Sequence, residues 1–155
     1  MNFHAFVDES ELSTGDSPGV YLLAAAVIAV DHLDTARTTL PALHVVVVRA
    51  AADECSERRR RLCLRRLLCE LDQAGVVQVI LERRQRRQDQ ADSQLLSALR
   101  AAKAVSNGLH MEHAAGTGEP LLWLPDFVAG AAGAAYRGAH SYLDQLTGLI
   151  NMLKA

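Results

Sequence analysis

The chain has 155 residues, half of them hydrophobic, and a formal net charge of −2. This composition fits one compact domain with a buried core, and the near-neutral charge excludes a globally basic nucleic-acid-binding protein. The three cysteines form no Cys-x-x-Cys pair, so neither a disulfide framework nor a zinc site is indicated, and we expect a reducing, cytoplasmic location. The longest apolar run, at 20–30, is too short to span a bilayer as a helix, so we expect no membrane partner.

The hydrophobic pattern predicts closely spaced strands first and alternating helices and strands afterwards. The first half of the chain is predicted to contain strands at 3–7 and 20–30 separated by a turn at 13–19, a short helix capped by Asp31 that ends before Pro41, and a strand at 43–48. A helix at 56–74, capped by Ser56, is then followed by a strand at 76–81 and a polar connection at 83–90. The last predicted elements are a helix at 92–105 capped by Asp92, a short strand at 109–111, a helix from Pro125 to Tyr136 and a helix at 142–153.

This order predicts an α/β protein with a mixed sheet, antiparallel in its first part and built from βαβ units in its second. No internal repeat or linker interrupts the chain, so we expect a single domain over residues 1–155. Its C-terminal helix, within 142–155, would pack on the domain or serve a partner. The sequence leaves the oligomeric state open.

Three carboxylates occupy comparable positions in these elements. Asp8 follows the first strand, Glu82 follows the strand at 76–81, and Asp126 lies in the first turn of the late helix. If the two strands are neighbours, the three acids can converge and bind Mg²⁺ or Mn²⁺ through few protein ligands and several waters. Two such ions about 3.5–4 Å apart would support phosphodiester cleavage.

Each acid also has a purely structural interpretation. Asp8 could open a turn, and Glu82 could form a surface ion pair with Arg83 or Arg84. Asp126 could simply complement the dipole of its helix, an effect of about 0.3–1 kcal/mol. The spacing alone does not decide between these interpretations and a shared metal site.

The motifs at the two ends resemble a family of uncharacterised bacterial domains, most closely an actinobacterial subgroup. The chain opens with Phe-Val-Asp-Glu-Ser at 6–10 and continues with an apolar run at 20–28. The second motif, Leu-Pro-Asp-Phe-Val-Ala-Gly, lies at 124–130. Between the two motifs, the middle strand at 79–82 has an acid as its last residue and is followed by a charged stretch at 87–92. The resemblance implies a ribonuclease H-like fold, a five-stranded mixed sheet flanked by helices.

The same resemblance implies a metal-dependent nuclease with Asp8, Glu82 and Asp126 as catalytic metal ligands. Glu9 and Asp89 are secondary candidates. Three arginines that follow Glu82 are candidate nucleic-acid contacts, namely Arg83, Arg84 and Arg87.

The sequence departs from this family before Pro41. The family carries a basic segment between the first helix and the third strand, and here that segment is shortened. If it completes the site, the nuclease is weakened or inactive. The alternative function is therefore a non-catalytic interaction or nucleic-acid-binding protein on the same fold. A small-ligand-binding α/β domain is less favoured because no Gly-rich loop joins a strand to a helix.

Two other motifs have simpler interpretations. His110, Glu112 and His113 offer metal ligands, but residues at odd and even positions of a strand face opposite sides. An exposed edge or loop explains them better. The single tryptophan, Trp123, is expected to anchor the core.

Overall fold

The computed structural model describes residues 2–12, 19–33, 43–51 and 53–155, without the side chains of 43–46. The elements are β1 (Phe3–Leu12), β2 (Val20–Ala29), a 3₁₀ turn (Val30–His32), β3 (Leu43–Ala50), α1 (Ser56–Gln73), β4 (Val76–Glu82), α2 (Arg86–Ala101), β5 (His110–Ala114), a 3₁₀ turn (Pro120–Leu122), α3 (Trp123–Tyr136), the one-turn helix α4 (Ser141–Asp144) and β6 (Ile150–Lys154). Most of the predicted turn at 13–19, and the predicted end of the helix after Asp31, lie outside the described residues.

The strands form one six-stranded sheet in the order β5-β4-β1-β2-β3-β6. The pairs β1–β2 and β2–β3 are antiparallel, whereas β1–β4, β4–β5 and β3–β6 are parallel. The predicted mixed sheet is therefore confirmed, with six strands instead of five. The expectation that the first strand and the Val76 strand are neighbours is also correct.

Helices cover both faces of the sheet. Val7 and Leu81 pack into the large core cluster that contains the buried leucines of α1 and α2. Phe6 and Ile80 pack on the other face against the 3₁₀ turn before α3. Since successive residues of a strand point to opposite faces, Asp8 and Glu82 continue the face on which α3 lies, and Glu9 continues the face of α1 and α2.

Three predicted helix caps are wrong. Asp31 lies inside the 3₁₀ turn Val30–His32, whose N-cap is Ala29. The N-cap of α1 is Cys55, and the Ser56 hydroxyl donates instead to Glu11 Oε2 at 2.7 Å. The α2 helix begins six residues before Asp92, after a Gln85–Gln88 capping box, and Asp92 is buried inside it. The helix at 56–74 does end as predicted, because Gly75 adopts a positive φ of 80° that favours glycine.

The predicted C-terminal helix is also wrong. Residues 142–155 contain only the end of the one-turn helix α4, followed by β6, which pairs parallel with β3 through Leu153 and Val47. Gly148 has a positive φ of 85° between the two elements, which interrupts any helix there. The valine-rich β3 would otherwise be an unpaired sheet edge, and β6 satisfies its backbone hydrogen bonds.

No helix among the described residues combines the length and the apolar character needed to cross a membrane.

Candidate active site

The sheet brings Asp8 and Glu82 together. In the parallel pair of β1 and β4, Val7 is the partner of Leu81, so the next residue on each strand is an acid. Glu82 is the last residue of β4, whereas β1 continues past Asp8 to Leu12. Asp8 is therefore an internal strand residue and does not open a turn.

Helix α3 brings the third acid to the same place. Its buried residues Val128, Ala129 and Ala132 pack on β1 and β2 and hold the helix against the sheet. Asp126 lies in its first turn, on the exposed side. The three acids line one cleft of about 350 Å³. Its lining residues are Asp8, Glu82, Gly116, Thr117, Leu122, Trp123 and Asp126.

The cleft destabilises the ionised form of Asp8. Burial is the main cause that raises its pKa to about 7 from the ordinary value of 3.8, and the negative charges of Glu82 and Asp126 add to it. The backbone N–H of Glu9 donates to Asp8 Oδ1 at 2.8 Å and opposes this shift. The cleft therefore concentrates negative charge that a cation would relieve.

This raised pKa predicts a pH-dependent cost in stability. Asp8 releases its proton near pH 4 when unfolded but near pH 7 when folded, so its destabilising effect grows between these values and is complete above pH 7. The free energy of unfolding of Asp8→Asn, relative to that of the wild type, should therefore rise between pH 4 and pH 8. Because Asp8 is only half-buried, we expect this rise to be about 1–2 kcal/mol. Urea unfolding of both proteins in EDTA measures this; an equal difference at both pH values contradicts the assignment.

A second group of possible metal ligands lies near α2 and β5. Among the described residues, Asp89, Asp92 and His113 bring three ligand atoms within 4.8 Å of one another, and the Asp8 cleft does not meet that spacing. His113 Nε2 lies 3.2 Å from Asp92 Oδ2 and 3.7 Å from Asp89 Oδ1. Sequence reasoning missed this group because Asp92 was interpreted as a helix cap.

Arginines already neutralise this second group. Arg60, whose side chain is 4% exposed, pairs with both Glu9 and Asp92. Arg84 Nη2 lies 3.6 Å from Asp92 Oδ1. Burial acts to raise the pKa of Asp92, but the His113 hydrogen bond and the two guanidinium charges lower it on balance. We interpret the group as a buried ion-pair network, because two cations beside the carboxylates disfavour a third.

The secondary candidates Glu9 and Asp89 both belong to this network. Neither lines the 350 Å³ cleft, but Glu9 lines a smaller cavity of about 60 Å³ that Asp8 and Glu82 also line. The Asp89 Oδ1 atom accepts from the backbone N–H of Arg84 at 3.0 Å. Arg84 itself is 14% exposed and donates to Glu57 at 2.8 Å, which argues against a free nucleic-acid contact. Arg83 and Arg87 are exposed.

Trp123 does not anchor the core; its exposed fraction is 67%. Phe127, one helical turn later, is 62% exposed, and both lie on the side of α3 that carries Asp126. The sequence does contain a signal for this arrangement. The small and apolar residues that α3 buries occupy the opposite side of a helical wheel, and Trp123 falls outside that stripe.

Comparison with known proteins supports the fold. A crystal structure of a mutant Bst-RNase HIII is similar over 94% of this chain and 52% of that chain, with 14% sequence identity and a TM-score of 0.50. RNase H1 from the halophilic archaeon Halobacterium salinarum is similar over 77% of this chain and 90% of that chain, with 13% identity and a TM-score of 0.43. No family model and no curated protein matches the sequence.

The predicted ribonuclease H-like fold is thereby confirmed, with six strands instead of five. The chain spans about half the length of the RNase HIII structure.

Proposed function

We propose that this protein is a metal-dependent nuclease that cleaves phosphodiester bonds, with Asp8, Glu82 and Asp126 as its catalytic carboxylates. One observation carries the proposal: acids from β1, β4 and α3, far apart in sequence, line a single cleft. The ion-pair interpretation of Glu82 and the helix-dipole interpretation of Asp126 do not account for this convergence.

The chemistry of the cleft fits Mg²⁺ or Mn²⁺. All three side chains offer hard oxygen ligands, and Mg²⁺ is usually held by one or two carboxylates, several waters and a substrate phosphate. The cleft volume of about 350 Å³ leaves room for those waters. When bound, the metal would activate a water and stabilise the leaving oxygen.

The surrounding residues would orient the carboxylates. The Glu9 backbone N–H fixes one oxygen of Asp8. The loop after β5 closes on Glu82, since a Cβ built on Gly116 would lie 2.3 Å from Glu82 Oε1. Exposed Arg83, next to Glu82, and Arg87 are proposed to contact the phosphate backbone.

We further propose that the chain is a single domain over residues 1–155 and belongs to the bacterial family that its end motifs resemble. A cytoplasmic location is supported by Cys55, Cys63 and Cys69, all of which are free thiols.

The direct test is cleavage by wild-type protein. Labelled single-stranded RNA, single-stranded DNA, duplexes and RNA–DNA hybrids should be incubated with Mg²⁺, Mn²⁺ or EDTA. We expect cleavage of at least one substrate with Mg²⁺ or Mn²⁺ and none in EDTA. Cleavage that persists in EDTA, or no cleavage by folded protein under any condition, contradicts the proposal.

The close approach of Gly116 to Glu82 gives a more local prediction. In Gly116→Ala, the new methyl group must displace the Glu82 carboxylate, and we expect cleavage to slow by about tenfold or more, roughly 1.4 kcal/mol in the barrier. The matched control is Gly118→Ala, whose Cβ would meet only the Ala115 carbonyl at 3.5 Å. If the two variants cleave at equal rates, the position of the Glu82 carboxylate does not affect the reaction and its assignment as a catalytic carboxylate is wrong.

The second candidate function is nucleic-acid binding without catalysis. It is favoured by the shortened segment before Pro41, which lies outside the described residues. Salt-dependent binding with no turnover, in protein whose fold is intact, would support it over the nuclease.

A further inference from the structure

We propose that Trp123 and Phe127 form a stacking platform for unpaired bases, so that the nucleic acid entering the acidic cleft is single-stranded beside the cleaved bond. We call these two side chains the aromatic platform. This inference rests on the proposed nuclease function and names its substrate class.

The aromatic platform is exposed in a way that a core role does not explain. Trp123 and Phe127 are 67% and 62% exposed, although aromatic side chains this large are mostly buried. They are four residues apart on α3, so they lie on one face about 6 Å apart along the helix axis. One turn further, Gly130 has nothing within 4 Å of its Cβ position, which leaves that face open among the described residues.

The aromatic platform is continuous with the acidic cleft. Trp123 lines that cleft together with Asp8, Glu82 and Asp126. A strand whose phosphate reaches the three acids must therefore pass beside the indole ring. Because Phe127 lies one turn after Trp123 on α3, its ring is then available to the next base.

A single strand fits this surface better than a duplex. Bases within a duplex are stacked on each other and offer no free face to a side chain, whereas every unpaired base offers one. Stacking on aromatic side chains beside a cationic backbone contact is typical of sequence-independent single-strand binding. One exposed arginine, Arg137, directly follows α3 and can supply such a cationic contact.

A protein partner fits less well. A stable protein interface typically buries about 1,200–2,000 Å² of surface. The area of two side chains bordered by carboxylates is only a small part of that. The carboxylates also need a cation and a phosphate beside them, which a nucleic acid supplies and an apolar protein surface does not.

The chain provides its own reporter, because Trp123 is its only tryptophan. The test titrates wild-type protein, with Ca²⁺ present, with a short oligothymidylate and with a duplex of equal length, and follows tryptophan fluorescence. We expect quenching by the single strand and little by the duplex. Equal quenching by both, or none by the single strand, overturns the inference.

Variants make the test specific. By anisotropy of a labelled oligothymidylate, we expect Trp123→Ala and Phe127→Ala each to bind about tenfold more weakly. Tyr142→Ala, which removes a 55% exposed tyrosine elsewhere, should bind like wild type. Unchanged binding in both platform variants contradicts the inference. A change of oligomeric state in Trp123→Ala, when the single strand does not quench the wild-type fluorescence, also contradicts it and would assign the surface to a protein contact.

The two proposals can fail separately. Strand-specific quenching without cleavage supports the platform and contradicts the nuclease. Cleavage by protein whose affinity and preference for single strands do not depend on Trp123 supports the nuclease and contradicts the platform.

Discussion

The Asp8→Asn variant is expected to cleave phosphodiester bonds about a thousandfold more slowly than wild type, or not at all. Asp8 is the most buried of the three cleft carboxylates, and burial, together with the charges of Glu82 and Asp126, destabilises its ionised form. An amide keeps the shape of the side chain but loses the charge that would hold a cation. The expected loss corresponds to about 4 kcal/mol of transition-state stabilisation. Initial rates in saturating Mn²⁺ measure it.

The control for this variant is Glu112→Gln. Glu112 is an exposed acid on β5, a partner of Ile80 in the sheet, and it does not line the cleft. Its loss removes the same unit of charge and should leave the rate within about twofold of wild type, consistent with a screened surface charge. If Asp8→Asn is equally active, the assignment of Asp8 is wrong.

The Arg60→Ala variant is expected to lose about 3–5 kcal/mol of unfolding free energy. Arg60 is almost fully buried and pairs with Glu9 on β1 and Asp92 on α2, so it connects α1 to both elements. Its removal would leave Asp92, whose side chain is 6% exposed, without its closest cationic partner. Urea or thermal unfolding at pH 7 measures the loss.

The matched control is Arg58→Ala, two residues earlier on the same helix but with a side chain that is 67% exposed. Removal of that surface ion pair should cost less than about 1 kcal/mol. A small and equal effect of the two substitutions would contradict the buried-network interpretation and reopen Asp89, Asp92 and His113 as a metal site.

Local sequence patterns were enough to predict where Asp8 and Glu82 lie in their strands, but not that the two strands pair. The apolar runs around 3–7 and 76–81 predicted two strands, and an acid after each predicted a polar position at one edge. What made them neighbours is the parallel pairing of β1 with β4, a long-range contact that was assumed and is now observed. The position of Asp126 in the first turn of α3 was predicted from the helix-start pattern, in which Pro125 also lies in the first turn.

The errors arose where tertiary contacts override local preference. Asp92 has a side chain typical of an N-cap, yet the chain places it inside α2 because a buried arginine on α1 pairs with it. The C-terminal apolar residues have helical spacing, namely Leu146, Leu149, Ile150 and Leu153. The last two nevertheless lie in β6, because this segment pairs with the edge of β3. Burial of Trp123 was inferred from residue type alone, without the helical wheel of α3.

Location of bound Mn²⁺ in a crystal structure tests the central claim most directly. Crystals soaked in Mn²⁺ and measured near its absorption edge give anomalous peaks only where the ion binds. We predict a peak among the carboxylates of Asp8, Glu82 and Asp126, absent from Asp8→Asn crystals treated in the same way. A peak at Asp89, Asp92 and His113, with none in the cleft, would contradict the account.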